Sequence, residues 1–185
     1  MKRLLIITVG KTHSGKTTFA KRLEKELRNS LVIDQDNHAD FINTHYKALL
    51  PRQGANTLKY AVTETIVDYA TARSNFHLIL CNANRSREAR LALLAKFHGA
   101  GFSSILVHFV IPNEVLAARV ATSNRNTNVF RSASSFGEVL QRQHAESTQK
   151  DMVPPTKDET NYYFEISSSD EASPTIKSIV QIARE

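Results

Sequence analysis

Gly10-Lys11-Thr12-His13-Ser14-Gly15-Lys16-Thr17 decides how this chain is read. The stretch follows the pattern G-x-x-x-x-G-K-[ST], in which glycines let the backbone turn its N–H groups inward around an anion. The apolar run Leu4-Leu5-Ile6-Ile7-Thr8-Val9 precedes it, and Phe19, Ala20, Leu23 and Leu27 recur at helical spacing after it. A strand, a glycine-containing turn and a helix in that order aim the helix N-terminus, with its free N–H groups and positive dipole end, at a bound phosphate. The pattern therefore predicts a nucleotide-binding loop from Gly10 to Thr18. Lys16 is expected to reach the β- and γ-phosphates, and the Thr17 hydroxyl to bind Mg²⁺. The Lys11 and His13 side chains are expected to point outward, with the backbone of His13 doing its work.

Working outward, Leu31–Ile33 reads as a second strand, closed by Asp34-Gln35-Asp36-Asn37. Helical signals follow around Phe41 to Tyr46 and from Leu58 to Tyr69, with Pro51-Arg52-Gln53-Gly54 between them. Phe76–Leu80 reads as a third strand. Ser86 caps a helix that Gly99 and Gly101 are expected to stop. Ile105–Ile111 reads as a fourth strand, and Pro112 opens the next helix. Thr122 to Ser134 is polar and predicts a mobile loop. Ser135-Phe136-Gly137-Glu138 fits a capping box for a helix to about Gln149. Tyr162–Ile166 reads as a fifth strand and Thr175–Ala183 as a last helix. Strands alternating with helices predict an α/β fold on a parallel sheet, in one domain spanning 1–185.

Composition narrows the class. The 185 residues include 41% hydrophobic and 23% charged residues, an ordinary globular balance. Cys81 is the single cysteine, which excludes a disulfide framework and a cysteine-cluster metal site. No apolar run approaches the ~18 residues of a membrane span, so no membrane association is expected. Met1-Lys2-Arg3 and the apolar run after it imitate a signal peptide, but the run is short and no small-residue cleavage site follows. A cytoplasmic protein is expected. The formal charge is +6. Lys11, Lys16, Arg119, Arg125 and Arg131 fall in or near the presumed triphosphate site, and no continuous basic helix exists. A nucleic-acid partner is therefore the less favoured reading, behind a small-molecule acceptor.

Phosphoryl transfer needs positioning, charge neutralisation and a group that takes or orients the acceptor proton. In an open parallel sheet these groups belong at the carboxyl ends of strands. Asp36 lies beyond strand two and is the candidate base; Asp34 is a candidate to orient Mg²⁺. Both residues are also common helix caps. Arg119 and Arg125 are candidates to stabilise transition-state charge from a lid at about 122–134, with Arg131 open between that role and a solvated loop.

The chain resembles the polynucleotide-kinase-like, AAA_33-type P-loop kinases, with more distant similarity to adenylate, gluconate and shikimate kinases and zeta toxins. The resemblance rests on Gly10–Thr17, on Asp36, on the Cys81-Asn82-Ala83-Asn84-Arg85-Ser86-Arg87-Glu88-Ala89-Arg90 stretch, and on Pro112–Arg119 followed by Arg125. It implies a three-layer P-loop fold with strand order 2-3-1-4-5, an arginine-bearing lid, and an acceptor pocket in the helical region at about 37–75, to which His38, Asp40, His45, Tyr46, Arg52 and Arg73 are available. It also implies an ATP- and Mg²⁺-dependent kinase for a hydroxyl acceptor, as a monomer or homodimer, with the adenine near Pro155 to Ile166. Slow NTP hydrolysis by a regulatory protein, and 5′-hydroxyl phosphorylation of polynucleotides, are the alternatives. Two positions depart from the family: Cys81 stands where an Asp often ends strand three, and Ala39 where polynucleotide kinases carry an Arg.

Overall fold

The apolar run before the phosphate loop is the centre of a five-stranded parallel sheet. A computed structural model describes residues 2–185; Met1 lies outside the described residues. The strands are β1 (Arg3–Val9), β2 (Ser30–Ile33), β3 (His77–Leu80), β4 (Phe102–Phe109) and β5 (Tyr162–Ile166), in spatial order β2-β3-β1-β4-β5. Every pairing is parallel, with Ile6 opposite Ile79 on one side and Ile105 on the other. Parallel neighbours require crossovers, which are supplied by α1 (Lys16–Glu26), α2 (Gln35–His45), α3 (Thr57–Arg73), α4 (Arg87–Gly99), α5 (Asn113–Ala121) and α6 (Phe136–Glu146), with α7 (Ala172–Ile182) closing the chain.

Successive side chains of β1 point to opposite faces and bury two separate cores. Leu4 and Ile6 pack with Phe19, Ala20 and Leu23 of α1 and Ile176 and Ile179 of α7. Leu5, Ile7 and Val9 pack with Val67 and Ala70 of α3 and Leu94 and Phe97 of α4. A strand covered on both faces is apolar without alternation, which is what Leu4–Val9 shows. The fold is thus three layers of helix, sheet and helix.

Several boundaries differ from the sequence reading for local reasons. Asp34 caps α2, its Oδ1 accepting from Asp36 N–H at 3.0 Å, so the helix begins at Gln35 and Asp36 sits in its first turn rather than in a loop. α4 runs through Gly99, and the turn is made by Gly101 at φ 81°. β4 begins at Phe102 and ends at Phe109, before Ile111. Ser135 caps α6, but the Glu138 carboxylate binds Ser134 N–H at 2.8 Å instead of closing a box on Ser135. α7 starts at Ala172, with Pro174 in its first turn, where a missing N–H costs nothing.

A buried ion pair fixes the segment that follows β3. Arg90 is 0% exposed, and its five N–H donors go to both oxygens of Glu159 (3.0 and 3.1 Å) and to the carbonyls of Asn84, Arg85 and Val153. The guanidinium thereby ties the loop after β3 to the proline-containing segment before β5. Removing one member strands a buried charge, so Glu159→Ala should lower unfolding free energy by about 3–5 kcal/mol in urea titration. A loss under about 1 kcal/mol, the scale of exposed pairs, would show that the pair is not a structural clamp.

Candidate active site

The turn between β1 and α1 is built for an anion. Gly10 has φ 153°, and a Cβ there would lie 3.0 Å from both Phe109 Cβ and Ser14 Oγ. Gly15, at φ 101°, occupies the N-cap of α1 without offering a side chain to it. The caps of α2, α3, α4 and α6 are supplied by Asp34, Asn56, Ser86 and Ser135. Only external acceptors can serve the first-turn amides of α1, which also carries no acidic residue there. His13, at φ 59°, curls the loop further.

Lys16 is buried and folded back on its own loop, donating to Lys11 O at 2.5 Å and Ser14 Oγ at 3.2 Å. Burial lowers its ammonium to about 8. Thr17 Oγ1 donates to Asp34 Oδ2 at 3.4 Å, and the Cys81 thiol donates to Thr17 Oγ1 at 3.6 Å. Asp34 therefore caps α2 and also faces the Thr17 hydroxyl. Burial raises the Asp34 carboxyl, the backbone N–H of Asp36 opposing it. Burial pushes the Cys81 thiol up to about 11, which leaves it a buried hydrophobe rather than a nucleophile. Asn84, at φ 46°, uses its side chain to hold Thr8 O at 2.9 Å.

The remaining predicted residues fall on three sides of the loop. On one, the Arg125 guanidinium meets Asp36 Oδ2 at 3.2 Å, and both line a cleft of about 470 Å³ with His13, Gly15, Lys16, Thr17 and Thr18. Arg119 is not brought to Asp36. It donates to His13 O at 3.2 Å and Ser169 Oγ at 3.3 Å, beside a cavity of about 280 Å³ that also touches Thr18, Ile166 and Ser168. Lys11 turns to a third side, donating to Asn113 Oδ1 at 3.1 Å, with His144 Nδ1 at 3.2 Å.

The polar segment 122–134 is docked rather than free. Asn128 donates to Asp40 Oδ1 at 2.9 Å and Thr44 Oγ1 at 2.8 Å, and Asn126 to Asp40 Oδ1 at 3.2 Å. Asn43 returns a bond to Asn128 O at 2.5 Å. Arg131 donates to Pro51 O at 2.8 Å and to Gly54 O. The composition signals polarity, but these partners come from α2 and the following loop, which no local reading reveals.

Phe136 holds the lid to the phosphate loop, which the sequence reading did not anticipate. Its ring meets His13 at 4.7 Å and Phe130 at 4.6 Å, and Arg125 stands over it at 4.8 Å. Gln143 Oε1 accepts from Thr12 N–H at 2.7 Å, a second tie from α6 to the loop. Burial, followed by the charges of Arg125, Lys16 and Arg119, holds His13 below its ordinary value and so favours the neutral ring in this contact. Helical spacing around Phe136, Val139 and Leu140 shows only an amphipathic helix; its contact with the loop is a tertiary fact. Phe136→Ala should speed amide hydrogen exchange across 126–131 while leaving β1 and β4 protected. Unchanged exchange in the lid would show that the aromatic contacts do not hold it.

The AAA_33 family model, an AAA domain, matches residues 5–148. The chain belongs to that family. No curated protein matches it. Solved structures match over nearly the whole chain. A kinase candidate from Chloroflexus aurantiacus shares 16% identity over 100% of this chain and 98% of that one, with TM-score 0.67. The Mycobacterium tuberculosis APS kinase CysC, solved with AMPPNP and APS, shares 17% over 100% of both, with TM-score 0.60. Chaetomium thermophilum Kti12, solved with ADP-AlF3, shares 16% over 95% of this chain and 96% of that one, with TM-score 0.61. The fold is that of P-loop kinases.

Proposed function

We propose that the chain is an ATP- and Mg²⁺-dependent kinase that transfers the γ-phosphate to a hydroxyl of a small-molecule acceptor. The observation that carries this reading is the meeting of Lys16, Asp36 and Arg125 in one cleft beside an uncapped helix N-terminus. The kinase fold and the nucleotides bound by APS kinase and Kti12 support it.

The residues present suit the implied partners. A phosphate at the start of α1 would be met by the backbone N–H groups of its first turn, which no side chain caps. The cavity beside Arg119, Ile166 and Ser168 suits the nucleobase. Among the described residues no group of three or more His, Cys, Asp or Glu side chains could hold a metal by itself. Mg²⁺ binds through one or two protein groups, water and substrate phosphates. Thr17 and Asp34 would hold it, with Asp34 taking the part that Cys81 cannot. When bound, Mg²⁺ neutralises charge on the β- and γ-phosphate oxygens.

In the proposed reaction the acceptor hydroxyl attacks the γ-phosphorus in line, and the bond to the β-γ bridging oxygen breaks. Asp36 accepts or orients the hydroxyl proton. Lys16 leaves its carbonyl partner for the phosphate oxygens. Arg125 exchanges the Asp36 carboxylate for the γ-phosphate, which frees Asp36 as the guanidinium moves to the developing charge. Arg119 acts from the outer flank, holding the loop at His13 O.

Two outcomes are expected. In a labelled γ-phosphate transfer screen across hydroxyl compounds, Lys16→Ala and Asp36→Asn should both abolish transfer, while Asp36→Asn keeps nucleotide affinity within about threefold. Transfer by Asp36→Asn at the parent rate would remove Asp36 as the base. Phosphate is bound by the charged form of Lys16, which burial depletes above about 8. Nucleotide affinity should therefore hold level to about that pH and fall as pH rises beyond it. A Kd unchanged up to pH 9.5 (roughly one and a half units past the lowered value) would show that Lys16 stays charged in the free protein.

A further inference from the structure

The cleft holds more positive charge than a nucleotide needs. Lys16, Lys59, Arg125, Arg131 and Arg142 line it against a single lining carboxylate, Asp36. A triphosphate with its divalent cation keeps only a small net negative charge, which Lys16 and Arg125 answer. Lys59, Arg131 and Arg142 remain. They come from the first turn of α3, the lid and α6, three elements far apart in sequence.

Among the described residues Lys59 and Arg131 have no carboxylate partner, and Arg142 shares one. Arg131 donates to carbonyls, which fix its guanidinium and leave its charge unbalanced. Arg142 meets Glu146 at 3.8 Å, a carboxylate it shares with Arg85 at 3.3 Å, and its charge also reaches Glu138. Lys59 has no carboxylate within ion-pair distance among the described residues; its ammonium lies 4.8 Å from the Tyr60 ring. The nearby Asp34 carboxylate is turned to Thr17 and to the N-terminus of α2. Like charges gathered around one cleft repel, and the potential they create concentrates an anion there. Val129, Phe130 and Val139 line the same space and cover an apolar body.

Resting on the kinase reading above, we propose that the acceptor carries, besides its hydroxyl, a phosphate-type dianion seated by Lys59 with Arg131 and Arg142. Three cations on separate elements match a tetrahedral dianion, whose oxygens diverge, better than a planar monoanionic carboxylate. The substrate class is thus a hydroxyl compound that already bears a phosphate monoester. The seat also couples binding to closure, because Arg131 belongs to the lid and Lys59 to the acceptor helix beneath it.

The test uses the whole protein saturated with Mg²⁺ and AMPPNP, so that the phosphate loop is filled. Inorganic phosphate, sulfate and acetate are then titrated by calorimetry. Phosphate and sulfate should bind the loaded protein, and Lys59→Gln should weaken both by at least about tenfold, the scale of one charge-assisted hydrogen bond. Lys59→Arg should retain most of the affinity. AMPPNP affinity should be the same in both variants, which also reports that they fold. Three results overturn the inference while leaving the kinase reading intact: no phosphate binding to the loaded protein, equal binding by wild type and Lys59→Gln, or acetate binding as tightly as phosphate. Failure of the wild-type protein to bind AMPPNP at all removes the kinase reading and this inference with it.

Discussion

A helix whose first amides have no acceptor of their own must find one elsewhere, and the rest of this structure is arranged around that demand. Gly15 withholds the side chain that Asp34, Asn56, Ser86 and Ser135 supply to other helices. Gly10 lets the loop pass within contact distance of Phe109, closer than any Cβ allows. β1 brings both glycines to the carboxyl edge of the sheet because its own five apolar residues are buried on two faces at once. The sheet order then places β3 and β4 on either side, so that Cys81, Asn82 and Ala83 border the loop on one flank and Phe109 on the other.

Electrostatics couples the parts. Lys16 is buried at a cost that burial alone does not repay, and its depressed ammonium is most at ease with a phosphate beside it. Arg125 and Asp36 hold each other across the cleft. Phe136 keeps the guanidinium, the Phe130 ring and His13 in one stack, so the lid and the loop move as neighbours. Asp40 and Thr44 pin the same lid to α2 through Asn126 and Asn128. A ligand that pulls Arg125 toward the loop therefore acts on a segment already anchored at both ends.

Much of this was legible in the sequence because its signals are local. The phosphate loop is a fixed pattern between an apolar strand and an amphipathic helix, and the helix caps at Ser86 and Ser135 announce themselves by residue type. The five strands read correctly in place, with boundaries shifted where a cap or glycine decided them, as Asp34 did by drawing Asp36 into α2. What could not be read was long-range. Nothing near Arg90 in the chain announces Glu159, and the predicted mobile loop gave no hint of Asp40 as its partner. Arg119 and Arg125 looked equivalent, six residues apart; the end of α5 sends one to each flank of the phosphate loop. Lys59 carried no motif at all, and its meaning comes from the cleft it shares with Arg131 and Arg142.

The central claim is that the cleft moves a phosphoryl group to a hydroxyl rather than to water. Mass spectrometry of a pool of hydroxyl compounds, incubated with the protein, Mg²⁺ and ATP isotopically labelled at its γ-phosphate, tests it most directly. The account predicts the labelled phosphate on a member of the pool, formed in step with ADP. Label recovered only as free inorganic phosphate, whatever the pool, would contradict it.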